Sequence, residues 1–116
     1  MAMETEKAIH IAVMDYVRLK QLDNITFHVP NGGRQTPQRG AMLKRMGVLA
    51  GVSDLIMARQ SRGFGALFLE LKAKKGRLSD AQKAFLNNMI FEGYCVKVAH
   101  SLDEAIEAID WYTNKK

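Results

Sequence analysis

The chain has 116 residues, 47% of them hydrophobic and 25% charged, with a formal net charge of +5 and a pI near 9.5. That length holds one domain, residues 1–116, and no apolar run approaches the roughly 18 residues that a membrane span needs. The basic excess favours a polyanion without identifying one, the single Cys95 excludes an intramolecular disulfide, and the acidic start Met1-Ala2-Met3-Glu4-Thr5-Glu6 lacks a signal peptide's apolar segment, so a reducing, cytoplasmic setting is expected.

Residues 4–21 carry Ile9, Ala12, Val13, Tyr16 and Val17 at helical spacing, which predicts an amphipathic helix. Asp23-Asn24 ends it, and residues 25–29 alternate as a strand does. Pro30-Asn31-Gly32-Gly33 punctuates a turn. Residues 34–51 are polar and basic, an irregular stretch with at most a short helix over residues 42–46. Residues 53–58 and 66–73 read as two strands joined by the turn Ser61-Arg62-Gly63-Phe64-Gly65, hence as an antiparallel hairpin. After the basic loop Lys74-Lys75-Gly76-Arg77-Leu78, Ser79 and Gln82 form a capping box that opens a helix through Phe85, Leu86, Met89 and Ile90 to Gly93. Residues 94–99, with Cys95 as a small buried hydrophobe, make a last strand. Ser101 and Glu104 then cap a helix bearing Ala105, Ile106, Ile109 and Trp111. The order α-β-β-β-α-β-α implies an α/β domain, a mixed sheet flanked by helices.

The hairpin holds the chemistry. Leu67-Phe68-Leu69-Glu70-Leu71-Lys72 is apolar enough to be a central strand, yet Glu70 and Lys72 sit inside it on one face of the pleat. Charges buried there cost several kcal/mol each, on the order of what only a partner or a metal offsets. An internal ion pair, or a strand end that reaches water, would also satisfy them. Asp54 lies sixteen residues before Glu70, room for a strand out and a strand back, so pairing can bring the two carboxylates together. Converging carboxylates make a hard-oxygen site for Mg²⁺ or Mn²⁺. A lysine beside them can hold water or offset phosphate charge. Gly47 and Gly51 leave space for a close approach of backbone or substrate.

Asp54 followed by Glu70-Leu71-Lys72 resembles the PD-(D/E)xK nuclease pattern. A longer ordered set is similar to the VRR-NUC family within it: Glu6-Lys7-Ala8-Ile9, Asn31-Gly32-Gly33, Gly47-Val48-Leu49-Ala50-Gly51-Val52-Ser53-Asp54-Leu55, then Leu69-Glu70-Leu71-Lys72-Ala73-Lys74-Lys75-Gly76-Arg77-Leu78-Ser79-Asp80-Ala81-Gln82, and Gly93-Tyr94. Ser53 stands where the superfamily's name has Pro. The resemblance implies a restriction-endonuclease-like fold and a role for each match. Asp54, Glu70 and the Leu71 carbonyl would bind the metal, Glu6 would contribute directly or through water, Lys72 would position the nucleophile, and Gln82 would orient Lys72 or the water. Small stand-alone members of phage or prophage type imply a homodimer cutting four-way (Holliday) junctions in a bacterial or phage-infected cell.

Blander readings stand beside these. Glu6 can be an exposed helix acid, and the capping box already accounts for Gln82. His10, His28 and His100 show no zinc spacing and are taken as structural or surface residues. Arg34, Arg39, Lys44 and Arg45, with Lys74, Lys75 and Arg77, are read as gripping DNA phosphates from loops beside the cleft. The alternatives to a junction endonuclease are a non-catalytic branched-DNA-binding module and a flap or single-strand nuclease. The first leaves converging carboxylates unexplained, and the second lacks an aromatic strand face.

Overall fold

Eight elements follow one another in the computed structural model, which describes residues 4–30 and 36–114: α1 (Glu6–Leu19), β1 (Thr26–His28), α2 (Pro37–Arg45), β2 (Leu55–Met57), β3 (Leu67–Leu71), α3 (Asp80–Phe91), β4 (Cys95–Ala99) and α4 (Leu102–Thr113). The strands form one sheet in the order β1-β2-β3-β4. The first two pairings are antiparallel and β3 runs parallel to β4, through the α3 crossover. This is the mixed sheet flanked by helices that the alternation of elements predicts.

The pleat sorts the sheet's side chains. Leu55, Met57, Leu67, Leu69 and Leu71 face α1 and α4, where they pack with Ile9, Val13, Val17, Ala105, Ile109 and Tyr112. Each of the buried Leu, Ile, Val and Met side chains among these contributes about 1.5–3 kcal/mol by burial. Phe68 points to the opposite face, edge-on to Phe85 of α3 and to Tyr94. β3 is therefore covered on both sides, as its near-continuous apolar run requires. Cys95 is buried with a free thiol, as read from the sequence.

Three readings need correction. The irregular basic stretch contains a helix nearly twice as long as foreseen: Thr36 caps α2 by accepting the Arg39 N–H, Pro37 follows at the first turn, and no residue of α2 is buried. A helix that buries nothing leaves no apolar stripe to read. On α4 the buried aromatic is Tyr112, whereas Trp111 is exposed and lies against Arg62 and Lys97. The second capping box is also open. Ser101 accepts from the Glu104 N–H, but the Glu104 carboxylate accepts from the backbone of His100 rather than that of Ser101. The turn residues Asn31, Gly32 and Gly33, and Arg34, lie outside the described residues.

Candidate metal and nuclease site

Convergence of the two acids follows from strand register. Leu55 pairs with Leu69, so the next position outward sets Asp54 against Glu70. Asp54 enters β2 from Ser53, which is fully buried and donates its hydroxyl to the Leu55 carbonyl at 3.2 Å. One Asp54 carboxylate oxygen accepts the Leu71 N–H at 2.7 Å, which ties the start of β2 to the end of β3. The Leu71 carbonyl turns toward the same edge of its strand as that N–H.

Glu70 is only 1% exposed and Lys72 only 7%. Both share the face of Phe68, on the α3 side, and the Lys72 ammonium stands 3.7 Å from Glu70 Oε2. The same Oε2 accepts 3.1 Å from the Gln82 amide nitrogen. The Gln82 carbonyl oxygen meanwhile accepts the Ser79 N–H at 2.8 Å, and Ser79 Oγ accepts the Gln82 N–H, so the capping box is closed. Two ends of one amide thus close the helix cap and contact the acid, where the resemblance implied a role toward Lys72 or the water. The other Glu70 oxygen, Oε1, is buried and has no hydrogen-bond donor.

Burial first, then the Asp54 charge, then a proton that Glu70 can share with Asp54, raise the Glu70 pKa from 4.5 to about 8. Lys72, and after it the Asp54 backbone, pull the other way and are outweighed. Two carboxylates, one of them carrying a buried orphan oxygen and reluctant to ionise, form an arrangement that a cation relieves. The donor set therefore fits a hard divalent ion.

Gly51 keeps the site together from the other side. At φ +84 it lies against the first turn of α3, where an added Cβ would stand 2.3 Å from the Ala81 carbonyl oxygen. A cleft of about 510 Å³ opens here, lined by His28, Val29, Pro30, Gly51, Val52, Asp54, Ser79 and Gln82. Glu6 is exposed in the first turn of α1, and among the described residues no hydrogen bond or ion pair joins it to Asp54 or Glu70. Arg39, Lys44 and Arg45 are exposed on α2, and Lys74, Lys75 and Arg77 on the connection from β3 to α3.

Two histidines that sequence spacing left as structural or surface residues lie at this site. His10, one turn after Glu6 on α1, meets His28 at the end of β1 in an edge-on ring contact of 4.5 Å. Ligand atoms of His10, His28 and Asp54 all lie within 4.8 Å of one another. Burial, then His28, lower the His10 pKa, against a smaller upward pull from Asp54. The histidines stand eighteen positions apart on two separate elements, so no local spacing signals their meeting. His100 stays apart, its Nε2 3.3 Å from the Gly76 carbonyl.

Comparison with known proteins matches the VRR-NUC domain to residues 5–103. A solved structure described as a VRR_NUC domain protein superposes with a TM-score of 0.84 at 29% identity, covering 96% of this chain and 89% of its own. Among curated proteins none matches.

Proposed function

The chain belongs to the VRR-NUC family, a family of nuclease-type domains, and on that premise we propose that it is a divalent-metal-dependent endodeoxyribonuclease selective for branched DNA, foremost four-way junctions. The observation that carries this reading is the buried Glu70 carboxylate, with its orphan oxygen, set against Asp54 and held by Lys72 and Gln82. Residues 1–116 would act as one nuclease domain. Asp54, Glu70 and the Leu71 carbonyl would hold Mg²⁺ or Mn²⁺, with Glu6 reaching in from the α1 face that also bears His10. When bound, the ion supplies Lewis acidity toward a phosphodiester oxygen and a template for in-line attack by water.

The protein's own groups do the rest. Gln82 fixes the Glu70 carboxylate by donating to its Oε2. The Lys72 ammonium, buried beside Glu70, orients the attacking water and offsets charge that grows on the phosphate. Asp54 is braced by the Leu71 N–H, so the two acids keep their spacing as the backbone approaches. Arg39, Lys44 and Arg45 with Lys74, Lys75 and Arg77, and Arg34 outside the described residues, would hold neighbouring phosphates.

Junction selectivity is supported by symmetry. One site cuts one strand, whereas a C₂ dimer presents two sites for paired cuts. Met42, Met46 and Leu49 are 53%, 73% and 57% exposed, an apolar surface suited to a second copy. With Leu43 they are the proposed dimer contact. Among the described residues no helix is long and apolar enough to cross a membrane, and the cytoplasm of a bacterial or phage-infected cell is the proposed setting.

The test is cleavage of an end-labelled four-way junction and of linear duplex with Mg²⁺ or Mn²⁺, comparing wild type with Asp54→Asn and Lys72→Ala. Paired junction cuts that vanish in both variants support the reading. Equal cutting of duplex removes the junction preference, and tight junction binding without cutting by wild type replaces the enzyme with a binding module. Light scattering that finds a monomer at micromolar concentration would refute the dimer.

A further inference from the structure

We propose that His10 and His28, together with Asp54, form a second divalent-cation site that selects imidazole-binding transition ions, on the opposite side of Asp54 from Glu70. Three observations carry it. One ring nitrogen of each histidine and a carboxylate oxygen of Asp54 already lie within 4.8 Å of one another. Three ligands about 2.0–2.2 Å from a common tetrahedral ion stand about 3.3–3.6 Å apart, so side-chain movements of about 1 Å close the triangle. The His28 Nδ1 is 2.6 Å from the Asp54 carbonyl oxygen. A carbonyl only accepts, so Nδ1 carries the proton and Nε2 is left as the ligand atom. A metal-ligating histidine commonly makes this kind of bond through its other nitrogen, which fixes tautomer and ring orientation. Finally, His28 and Asp54 both line the cleft of about 510 Å³, which gives an ion an entry path and room for its remaining water ligands.

The chemistry of the donors decides the occupant. The Glu70 side of Asp54 offers oxygen alone, the ligand set of Mg²⁺. The His10 and His28 side offers two imidazoles to one carboxylate, which suits Co²⁺, Ni²⁺ or Zn²⁺ and gives Mg²⁺ little hold. Asp54 belongs to both sites and has two carboxylate oxygens, so an ion at the histidines and one beside Glu70 can be held together. The inference goes beyond hydrolysis and depends on binding alone.

The probe is Co²⁺, added to metal-free protein and followed by calorimetry and by visible absorption, with and without saturating Mg²⁺. The expected result is a Co²⁺ component that Mg²⁺ does not displace. His10→Gln and His28→Gln each weaken it at least about tenfold. His10→Asp, which keeps a ligand atom at that place, retains it, and so does Glu70→Gln. Circular dichroism and metal-free melting show that each variant is folded. Complete displacement of Co²⁺ by Mg²⁺, or wild-type binding by both glutamine variants, overturns the proposal. Junction cutting with Mg²⁺ is scored separately: its absence overturns the nuclease reading and leaves the Co²⁺ result to stand or fall alone.

Discussion

Replacing Glu70 with glutamine should stabilise the metal-free protein at high pH and leave it nearly unchanged at low pH. The glutamine is nearly isosteric, and its carbonyl can still accept from Gln82. What changes is charge. In the folded chain Glu70 titrates near 8 rather than 4.5, because burial and the Asp54 charge resist its ionisation. The folded state therefore holds a proton that the unfolded state has released anywhere between those two values. Stability from this group is full below about pH 4.5 and is lost as pH rises toward 8 and beyond. At about 1.36 kcal/mol per pH unit that interval has a ceiling near 5 kcal/mol, so a loss on the order of 2–5 kcal/mol is expected at pH 9. At about 4 °C per kcal/mol for a domain this size, Glu70→Gln should melt roughly 8–20 °C above wild type at pH 9, and within a degree or two at pH 4.5. Differential scanning calorimetry in metal-chelated buffer at both values measures this. Adding Mn²⁺ at pH 9 should then raise the wild-type melting temperature and leave the variant's nearly unmoved. Equal destabilisation of the variant at both values would refute the reasoning, since the carboxylate would then be a structural ion-pair partner of Lys72.

Other substitutions probe other parts of the same geometry. Gly51→Ala places a methyl 2.3 Å from the Ala81 carbonyl oxygen at a positive φ; a loss of about 2–4 kcal/mol in urea unfolding is expected, and a neutral result would mean that the first turn of α3 yields easily. Tyr112→Phe removes a hydroxyl that donates to the Arg59 carbonyl at 2.5 Å; it should cost about 1–2 kcal/mol by the same measurement without changing cleavage. Arg39, Lys44 and Arg45 replaced together by alanine in the Asp54→Asn background should lower the slope of log affinity against log salt by about 2–3, read by junction-binding titrations across salt, and an unchanged slope would remove α2 from the DNA contact.

The hairpin was legible because its signal is local in one strand and depends on only one pairing. Charged residues at 70 and 72 inside an apolar run demand partners, and sixteen residues back to Asp54 fit a simple out-and-back path. The capping box at Ser79 and Gln82 was equally local, and it placed Gln82 at the helix start, although nothing in the sequence said that the same amide reaches Glu70. Helix α2 was half read, since a helix with no buried residue shows little hydrophobic period; only Thr36-Pro37 marked its start. Trp111 and Tyr112 are adjacent, and helical spacing cannot tell which aromatic turns inward when α4 docks. His10 on α1 and His28 at the end of β1 come together only in the folded chain, a tertiary fact with no trace in their separation along the sequence.

The single amide of Gln82 has a consequence for motion. Its carbonyl oxygen belongs to the end of a helix and its nitrogen to a buried acid. Helix ends open and reclose more readily than the sheet beneath them, at a free energy well below that of global unfolding. Each time the first turn of α3 frays, Glu70 loses its neutral donor in the same event, so acid and cap disengage as one unit. Hydrogen exchange at the Ser79 and Gln82 amides should therefore report how often the acid is released, and a bound cation should slow both amides together.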